Sequence, residues 1–360
     1  MTACARTLVR WALAVPIAAV VLGGCSQGGG RPAGRTSAPV PASTSPVQAS
    51  TTPVPASTAP GPISSYAAPL PRPLLLAQGV SSANPAHRFR SQAWDFAVMR
   101  ETFNAVALLP GDQGTVAKAR RAGLAVVLEF DYKKDFFAGN DISRKVQRIV
   151  EQVKSHPGTI SAIQVADRLN QDYSAAQGLR YLAATAGVFH GELAGVPVFA
   201  SVGTRGLTCG FPGQSSCVNT DPRFQYETNA TLDAFRATEY LDGFVLADNL
   251  KNNNEAVQVQ AWRAARARWP SPFILLSNAS QLSFPSARQP GGQQAAAALV
   301  TAYMTGPVRG GADGLALWAW HQLYQGSVYT FLDKGGSTNT LWRAMAAASA
   351  SLGLTREPGP

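Results

Sequence analysis

The sequence predicts a (β/α)8 barrel, in which eight parallel strands close into a cylinder surrounded by helices. Between residues 72 and 353, a short apolar run followed by a longer amphipathic stretch occurs eight times. The runs are almost continuously apolar, as expected for parallel strands that are covered on both faces. The region is also long enough for one barrel, which takes about 250 residues. One barrel therefore fits better than two separate domains.

Each strand of the predicted barrel corresponds to one apolar run. A polar residue or a helical stretch follows each run, which is the order that an α/β alternation requires. In chain order, the predicted strands are Leu74–Ala77, Ala105–Leu109, Leu124–Phe130, Ile160–Ala166, Val196–Ser201, Gly243–Ala247, Phe273–Ser277 and Gly314–Ala319.

The helical stretches end where the barrel pattern needs them to end. The stretch that begins at Ser143 stops at His156–Gly158, and the stretch from Glu255 stops before Pro270. Proline and glycine are ordinary helix terminators, because proline cannot continue a helix and glycine readily adopts the backbone turn that follows one. Three more glycines are predicted to close a helix just before a strand: Gly123, Gly195 and Gly311.

The first 25 residues have the pattern of a bacterial export signal. Arg6 and Arg10 precede the apolar run Trp11–Leu22, and Leu22–Cys25 adds small residues before a cysteine. This resembles a lipoprotein signal, which implies cleavage before Cys25 and a lipid on its thiol. We therefore expect a lipid-anchored protein on the outer face of the cell membrane. A plain secretory signal with an incidental cysteine is the alternative, and it also places the protein outside the cytoplasm.

Residues 25–71 are predicted to form a disordered tether. The segment is rich in Pro, Ser, Thr, Ala and Gly, and one hexapeptide occurs at both Pro39–Thr44 and Pro53–Thr58. Such a composition cannot bury enough apolar surface to fold. A segment that carries O-linked sugar would serve the same purpose. The predicted organisation is a signal peptide at 1–24, the lipidated tether at 25–71, the barrel at 72–353 and a short tail at 354–360.

Charge and cysteine content exclude several function classes. The net charge is +10, but the arginines are spread along the helices, which argues against nucleic-acid binding. Cys209 and Cys217 are the only cysteines in the barrel region, and we expect a disulfide between them, as is usual outside the cytoplasm. No histidine or further cysteine lies nearby in sequence, so a metal site is not expected. We expect a monomer without a cofactor.

Carboxylates at strand ends are the main candidates for catalysis. Active sites of these barrels form at the C-terminal ends of the strands. Glu129 lies one residue before the end of the third run, and Asp167 and Asp248 each follow a run by one residue. A pair of carboxyl groups about 5 to 10 Å apart is what glycoside hydrolysis needs. We predict all three as catalytic residues. The alternative is that such acids pair with Arg168 or a nearby lysine, such as Lys133, or cap helices.

Aromatic and polar residues at the same strand ends suit a sugar ligand. Trp318 and Trp320 share one side of an extended strand, and flat aromatic faces pack well against sugar rings. No metalloprotease, serine-hydrolase or phosphate-loop motif is present. We therefore expect a carbohydrate or cell-wall glycan as the partner. The predicted binding residues are Gln78, Asp131, Arg168, Asn170, Asn249, Asn278, Trp318, Trp320 and His321.

The barrel region, 72–353, resembles the retaining TIM-barrel glycoside hydrolases, which belong to a clan A-like superfamily. The resemblance rests on the strand order, on the segment Val165–Asn170 after the fourth strand, and on Trp318 in the eighth. It implies a catalytic acid/base Glu after strand four and a nucleophilic Glu after strand seven. Arg168 and Asn278 or a neighbour stand at those positions, and neither can do that work.

Two classes of function therefore stay open. In the first, the protein is an enzyme with displaced carboxylates, in which Asp167 is the acid and Asp248 or Glu129 is the base or nucleophile. In the second, the barrel only binds glycans, and its acids pair with Arg168 or Lys133. A solute receptor for a transporter fits the lipoprotein signal but not the eightfold pattern. In the segment 203–230, Glu227 is a reserve carboxylate if the chain folds inward, with Arg205 and Tyr226 as further candidates.

Overall fold

The computed structural model of the chain forms a closed barrel of eight strands, β1 to β8, in which every neighbouring pair is parallel. The described residues are 65–78, 96–97, 99–209, 224–247, 255–270, 273–280, 292–318, 321–324, 327–330 and 340–353. In some segments, such as 277–280, 321–324 and 327–330, the structure describes the backbone alone. The predicted (β/α)8 barrel is confirmed.

The strands follow the predicted runs closely, with differences at their ends. The fourth strand is the main exception, because it stops at Gln164 and does not reach Ala166. The strands are β1 (Leu74–Ala77), β2 (Ala105–Leu108), β3 (Ala125–Glu129), β4 (Ala162–Gln164), β5 (Val198–Gly203), β6 (Gly243–Ala247), β7 (Ile274–Ser280) and β8 (Gly314–Trp318). An antiparallel hairpin of β9 (His321–Tyr324) and β10 (Ser327–Thr330) was not predicted.

Helices follow most strands, and several end as predicted. Gly123, Gly195 and Gly311 have φ values of 78°, 79° and 107°, a backbone region that glycine enters without a side-chain clash. The described helices are α1 (Gln113–Arg121), α2 (Lys133–Phe137), α3 (Ser143–Ser155), α4 (Ala175–Ala184), α5 (Ala186–Glu192), α6 (Arg205–Thr208), α7 (Asn229–Arg236), α8 (Glu255–Arg268), α9 (Gly292–Arg309) and α10 (Thr340–Ser351).

The strands separate an inner core from an outer one. Side chains alternate between the two faces of a strand, so every second residue enters the barrel. Leu74 and Leu76 of β1 pack inside with Val127 of β3 and Phe199 of β5. The intervening residues pack outward against the helices, where Tyr181 is fully buried. The interior is therefore a packed core up to the polar residues at the strand ends.

The N-terminal end of the barrel is covered by the segment that precedes β1. The N–H of Tyr66 donates to the carbonyl of Ala194 at 3.2 Å, and that of Ala68 donates to the carbonyl of Ile160 at 2.8 Å. Leu70 packs against the inner core. The packing of the barrel thus begins before the boundary predicted at residue 72, because these residues satisfy backbone groups that precede β4 and β5.

Two aspartates stabilise the strands at the N-terminal end of the barrel. Asp242 Oδ2 accepts the N–H of Val198 at 2.7 Å and lies 3.2 Å from His190 Nε2. Asp313 Oδ2 accepts the N–H of Leu275 at 3.2 Å and binds the Arg266 guanidinium at 2.6 Å. Backbone N–H groups and basic side chains together compensate the charge of each carboxylate. These acids therefore hold the barrel together.

Among the described helices, none is both long enough and apolar enough to cross a membrane. The predicted signal peptide, with its apolar run and Cys25, lies outside the described residues, as does the tail at 354–360. Lipidation of Cys25 and the disorder of the tether stay predictions.

A close approach between β8 and β1 makes Gly314 intolerant of substitution. A Cβ at this position would overlap the backbone N and O atoms of Leu74. Backbone atoms inside a closed barrel cannot move aside, so we expect Gly314→Ala to lower the free energy of unfolding by about 3 kcal/mol. Urea denaturation followed by circular dichroism measures this loss.

Gly191→Ala is the matched control. Gly191 is exposed in α5, and a Cβ there meets no atom within 4 Å. Alanine is the better helix former, so this variant should be slightly more stable than the parent, by about 0.5 kcal/mol. Equal unfolding midpoints for the two variants would contradict the tight β8–β1 contact.

Candidate functional site

Three carboxyl groups come together at the C-terminal ends of β3 and β4. Glu129 is the last residue of β3, Asp131 follows it by two positions, and Asp167 lies just after β4. The two strands are neighbours, and Glu129 is paired with Gln164 in their register. Glu129 is partly buried, whereas Asp131 and Asp167 are exposed. The structure thus joins two of the three predicted catalytic acids, Glu129 and Asp167, in one cluster.

Two buried glutamines connect this cluster to the opposite side of the barrel. Gln164 Nε2 donates to Glu129 Oε1 at 3.2 Å, and Gln78 Nε2 donates to Gln164 Oε1 at 3.0 Å. Both glutamines are 1% exposed. Gln78 directly follows β1, which is not a neighbour of β4, so the bond between the glutamines crosses the barrel interior. Within the part of the chain that the structure describes, Gln78 Oε1 is buried without a hydrogen-bond partner.

Lys133 holds Asp131 and the backbone next to it. The ammonium group of Lys133 lies 3.1 Å from Asp131 Oδ2 and also donates to the carbonyl oxygen of Asp167. The N–H of Lys133 donates to Asp131 Oδ1 at 3.0 Å. Lys133 is only 6% exposed, which strengthens its attraction to a carboxylate. The sequence left open the alternative that an acid at the strand ends pairs with Lys133. The structure shows this pairing for Asp131.

Asp167 is placed by both its main chain and its side chain. Its N–H donates to Asp131 Oδ2 at 3.4 Å, and its Oδ1 accepts the hydroxyl of Ser201 at 3.2 Å. Ser201 lies in β5 and is fully buried. Ser201 therefore orients the carboxyl group of Asp167 from β5, while Asp167 as a whole stays exposed to solvent.

The turn after Asp167 has an unusual backbone. Arg168 has a φ of 44°, in the left-handed region that few residues other than glycine adopt. Asn170, which is fully buried, then binds Gly203: its Nδ2 donates to the carbonyl at 3.1 Å, and its Oδ1 accepts the N–H at 2.6 Å. Backbone strain of this kind persists where the surroundings impose it, often at functional sites. The ligand contacts predicted for Arg168 and Asn170 stay predictions.

Glu227 folds inward, as the sequence analysis allowed. It is 2% exposed, and its carboxyl group lies against Gly203 at the end of β5, where a Cβ would overlap it. Its Oε2 lies 3.6 Å from Arg205 Nε, and the Arg205 guanidinium lies 3.3 Å from the centre of the Phe224 ring. Tyr226 is partly buried. The reserve carboxylate is thus present at this end of the barrel, next to a cation.

The environment of Glu129 favours its protonated form. Burial raises the pKa of Glu129 to about 8, and the negative charges of Asp167 and Asp131 contribute in the same direction. At neutral pH, Glu129 therefore holds a proton beside carboxylates that are exposed to solvent. A carboxylic acid that can donate a proton, with other carboxyl groups beside it, is the arrangement that acid–base catalysis requires.

Several predicted site residues cannot be placed by their side chains. Asp248, Asn249 and Trp320 lie outside the described residues. The backbones of Asn278, Trp318 and His321 lie in β7, β8 and β9. Catalysis by Asp248 and ligand binding by the other residues stay predictions.

One of the two cysteines of the predicted disulfide lies among the described residues. Cys209 takes part in a disulfide, and Cys217 lies outside the described residues, so the pairing of these two cysteines stays a prediction. In the part of the chain that the structure describes, no group of three or more His, Cys, Asp or Glu side chains is arranged to hold a metal ion.

Sequence reasoning missed Gln164. It treated β4 as a continuous run to Ala166 and took Asp167 as the first polar residue after it. Within that run, Gln164 is the residue that alternates with the inward-facing Ala162. A polar residue at an inward position near the end of a strand was the signal that could have found it.

The fold is similar to that of solved TIM-barrel glycoside hydrolases. The GH5_18 protein of Streptomyces cattleya, solved in complex with GlcNAc, has a TM-score of 0.52 at 12% identity, over 80% of this chain and 82% of that chain. A GH5-4 broad specificity endoglucanase from Clostridium acetobutylicum has a TM-score of 0.51 at 8% identity, over 76% of this chain and 96% of that chain.

An exo-β-1,4-mannosidase from an Opitutaceae bacterium has a TM-score of 0.52 at 12% identity, over 78% of this chain. The match covers 59% of the mannosidase, so this chain spans little more than half of that protein. At such identities the likeness shows a shared fold. No protein-family model matches the sequence, and no curated protein is similar to it in sequence.

The raised pKa of Glu129 predicts how stability depends on pH. Because its folded-state pKa of about 8 lies above the ordinary value of 4.5, the folded protein binds more protons than the unfolded chain between these pH values. Stability should therefore fall as the pH rises through this window. Glu129→Gln cannot ionise, so it should be more stable than the parent at pH 9, on the order of 2 kcal/mol after allowance for partial exposure.

Urea unfolding at pH 5, 7 and 9 tests this prediction. Glu192→Gln is the matched control, because Glu192 is an exposed residue that pairs with Lys154 on the surface. The control should keep the pH dependence of the parent. If Glu129→Gln and the parent lose stability equally between pH 5 and pH 9, Glu129 is not the buried acid described here.

Proposed function

We propose that this protein is a cell-surface lipoprotein whose barrel hydrolyses glycans, with Glu129 as the proton donor. The observation that carries the proposal is the position of the Glu129 carboxyl group beside Asp167 and Asp131, where burial and the two acids raise its pKa. The cluster lies at the C-terminal end of the strands, which is where barrels of this class carry their active sites. The similarity in fold to glycoside hydrolases supports carbohydrate as the substrate class.

The chemistry divides between an acid and a carboxylate. In glycoside hydrolysis, one carboxylic acid protonates the leaving oxygen while a second carboxylate acts as a base or nucleophile. Glu129 suits the first role because it is protonated at neutral pH. Asp167 suits the second because it is exposed and is oriented by Ser201. These roles are the reverse of those expected from the sequence, in which Asp167 is the acid. We assign the acid to Glu129 because it is partly buried, whereas Asp167 is exposed.

A non-catalytic glycan-binding protein is the second candidate. The ion pair between Asp131 and Lys133 favours it, because that carboxylate is already neutralised by a neighbour. The amide group of Gln164 at the end of β4 also contributes no proton to a reaction. In this case the same end of the barrel would bind sugars and leave them intact.

The proposed ligand is a cell-wall or storage glycan. One protein of similar fold was solved in complex with GlcNAc, and another is an exo-β-1,4-mannosidase. We propose that the barrel acts as a monomer on the outer face of the membrane, held there by a lipid on Cys25. The signal pattern before Cys25 and the Pro- and Ser-rich segment after it support this location.

Product analysis tests hydrolysis directly. The full-length protein in detergent is incubated with a panel of cell-wall and storage glycans, and products are identified by mass spectrometry. Glu129→Gln and Asp167→Asn should each lower kcat by at least about 100-fold, because each removes a group that transfers a proton or attacks the sugar. The activity of the parent should decline as the pH rises through about 8, where Glu129 loses its proton.

Glu192→Gln serves as the control for the loss of one carboxyl group and should keep full activity. Binding of a glycan by the parent and both site variants, with no cleavage by any of them, would establish the non-catalytic alternative.

Partitioning into detergent tests the lipid anchor. Expressed in a bacterium that processes lipoproteins, the parent should enter the detergent phase of a Triton X-114 extract, and Cys25→Ser should stay in the aqueous phase. The reason is that acylation adds about 0.8 kcal/mol of membrane affinity for each buried CH₂ group. Cys4→Ser is the matched control, since Cys4 lies in the segment that is removed. A parent that stays in the aqueous phase would refute lipidation.

A further inference from the structure

The hydrogen bonds of Gln164 have a definite direction. An amide side chain has one accepting oxygen and one donating nitrogen. Gln164 uses its oxygen to accept from Gln78 and its nitrogen to donate to Glu129 Oε1. If Gln164 were turned over, its oxygen would face Glu129 Oε1, and its NH₂ group would face the NH₂ group of Gln78. Gln78 therefore keeps Gln164 in its present orientation.

The direction of the whole chain of bonds also has a cause. As it stands, the chain ends at Gln78 Oε1, a buried atom that has no hydrogen-bond partner among the residues that the structure describes. If both amides were turned over, that position would hold an NH₂ group with two unpaired hydrogens. An unpaired buried donor is rarer in proteins than an acceptor that lacks a partner, because the lone pairs of an oxygen tolerate partial satisfaction better. The observed direction is therefore the favoured one.

This direction decides which oxygen of Glu129 carries the proton. Oε1 already accepts a hydrogen bond from Gln164, and in a carboxylic acid the carbonyl oxygen is a better acceptor than the hydroxyl oxygen, so this bond favours the proton on the other oxygen. We propose that Gln164 and Gln78 are positioning residues that hold the transferable proton of Glu129 on Oε2, the other oxygen of the same carboxyl group. The inference rests on the proposed role of Glu129 as the proton donor. It assigns two residues of the barrel interior to that role.

The charged groups around Glu129 are not altered by a change at residue 78. Asp131 and Asp167 are the acids whose charges act on Glu129. Lys133 binds Asp131 and the carbonyl oxygen of Asp167. Gln78 makes its contact with Gln164 and carries no charge. We therefore expect an effect of residue 78 on the ionisation of Glu129 to pass through the amide of Gln164.

The test is the titration of Glu129 in the full-length protein. The protein is labelled with [δ-¹³C]glutamate, and the Glu129 carboxyl signal is assigned from its loss in Glu129→Gln. Gln78→Met removes the donor that fixes Gln164. The freed amide can then turn its oxygen to the protonated acid and stabilise that form. The midpoint of the Glu129 titration should rise by roughly 0.5 to 1 pH unit. Gln164→Met should raise it as well, because the donor to Oε1 is lost.

Gln152→Met is the matched control. Gln152 is a buried glutamine of α3 whose Oε1 accepts the N–H of Gly111, away from the carboxylate cluster. This variant should leave the Glu129 midpoint unchanged. If Gln78→Met does not fold, Gln78→Asn is the second test. Its shorter side chain draws the amide back from Gln164, so we expect the same rise in the Glu129 midpoint.

Kinetics separate positioning from support of the fold. On a glycan that the parent cleaves, Gln78→Met should lower kcat by about 10-fold with little change in KM, and the decline of activity should move to higher pH. An unchanged or lower Glu129 midpoint in a folded variant at residue 78 overturns the inference. The titration of Glu129 needs no substrate. A parent that cleaves no glycan would refute the proposed function, whereas the midpoint measured in the variants at residue 78 would still decide the inference about Gln78 and Gln164.

Discussion

Closure of the barrel is the constraint on which the rest of the structure depends. Once eight parallel strands close, every second side chain must enter an interior that has no room for water. Apolar residues such as Leu76 and Val127 fill the lower part of this space. The next inward positions, at the strand ends, hold Gln78, Glu129 and Gln164. The polar character of these residues conflicts with their burial, and the conflict is resolved by hydrogen bonds among them and by a proton on Glu129.

The two ends of the barrel use the same residue type for different purposes. At the N-terminal end, Asp242 and Asp313 accept backbone N–H groups and bind basic side chains, so their charges are compensated. At the C-terminal end, Glu129 accepts from an amide and faces other acids. An ionised carboxylate is stable in the first environment and unfavourable in the second. The two ends therefore differ in the electrostatic environment that they offer to a carboxyl group.

The sequence predicted the barrel well because its signals are local. Apolar runs and helix-ending glycines such as Gly195 can be recognised without knowing what lies across the barrel. The site was predicted in part: Glu129, Asp131 and Asp167 follow from strand ends. The bond between Gln78 and Gln164 could not be predicted, since it joins strands that are not neighbours. The roles proposed for Glu129 and Asp167 could not be predicted either, because they depend on how much solvent each group loses in the fold.

The segment that covers the floor of the barrel also determines the direction from which the chain arrives. Tyr66 and Ala68 bind at the end of the barrel opposite the carboxylate cluster. A tether that arrives there does not have to pass across the entrance to the site.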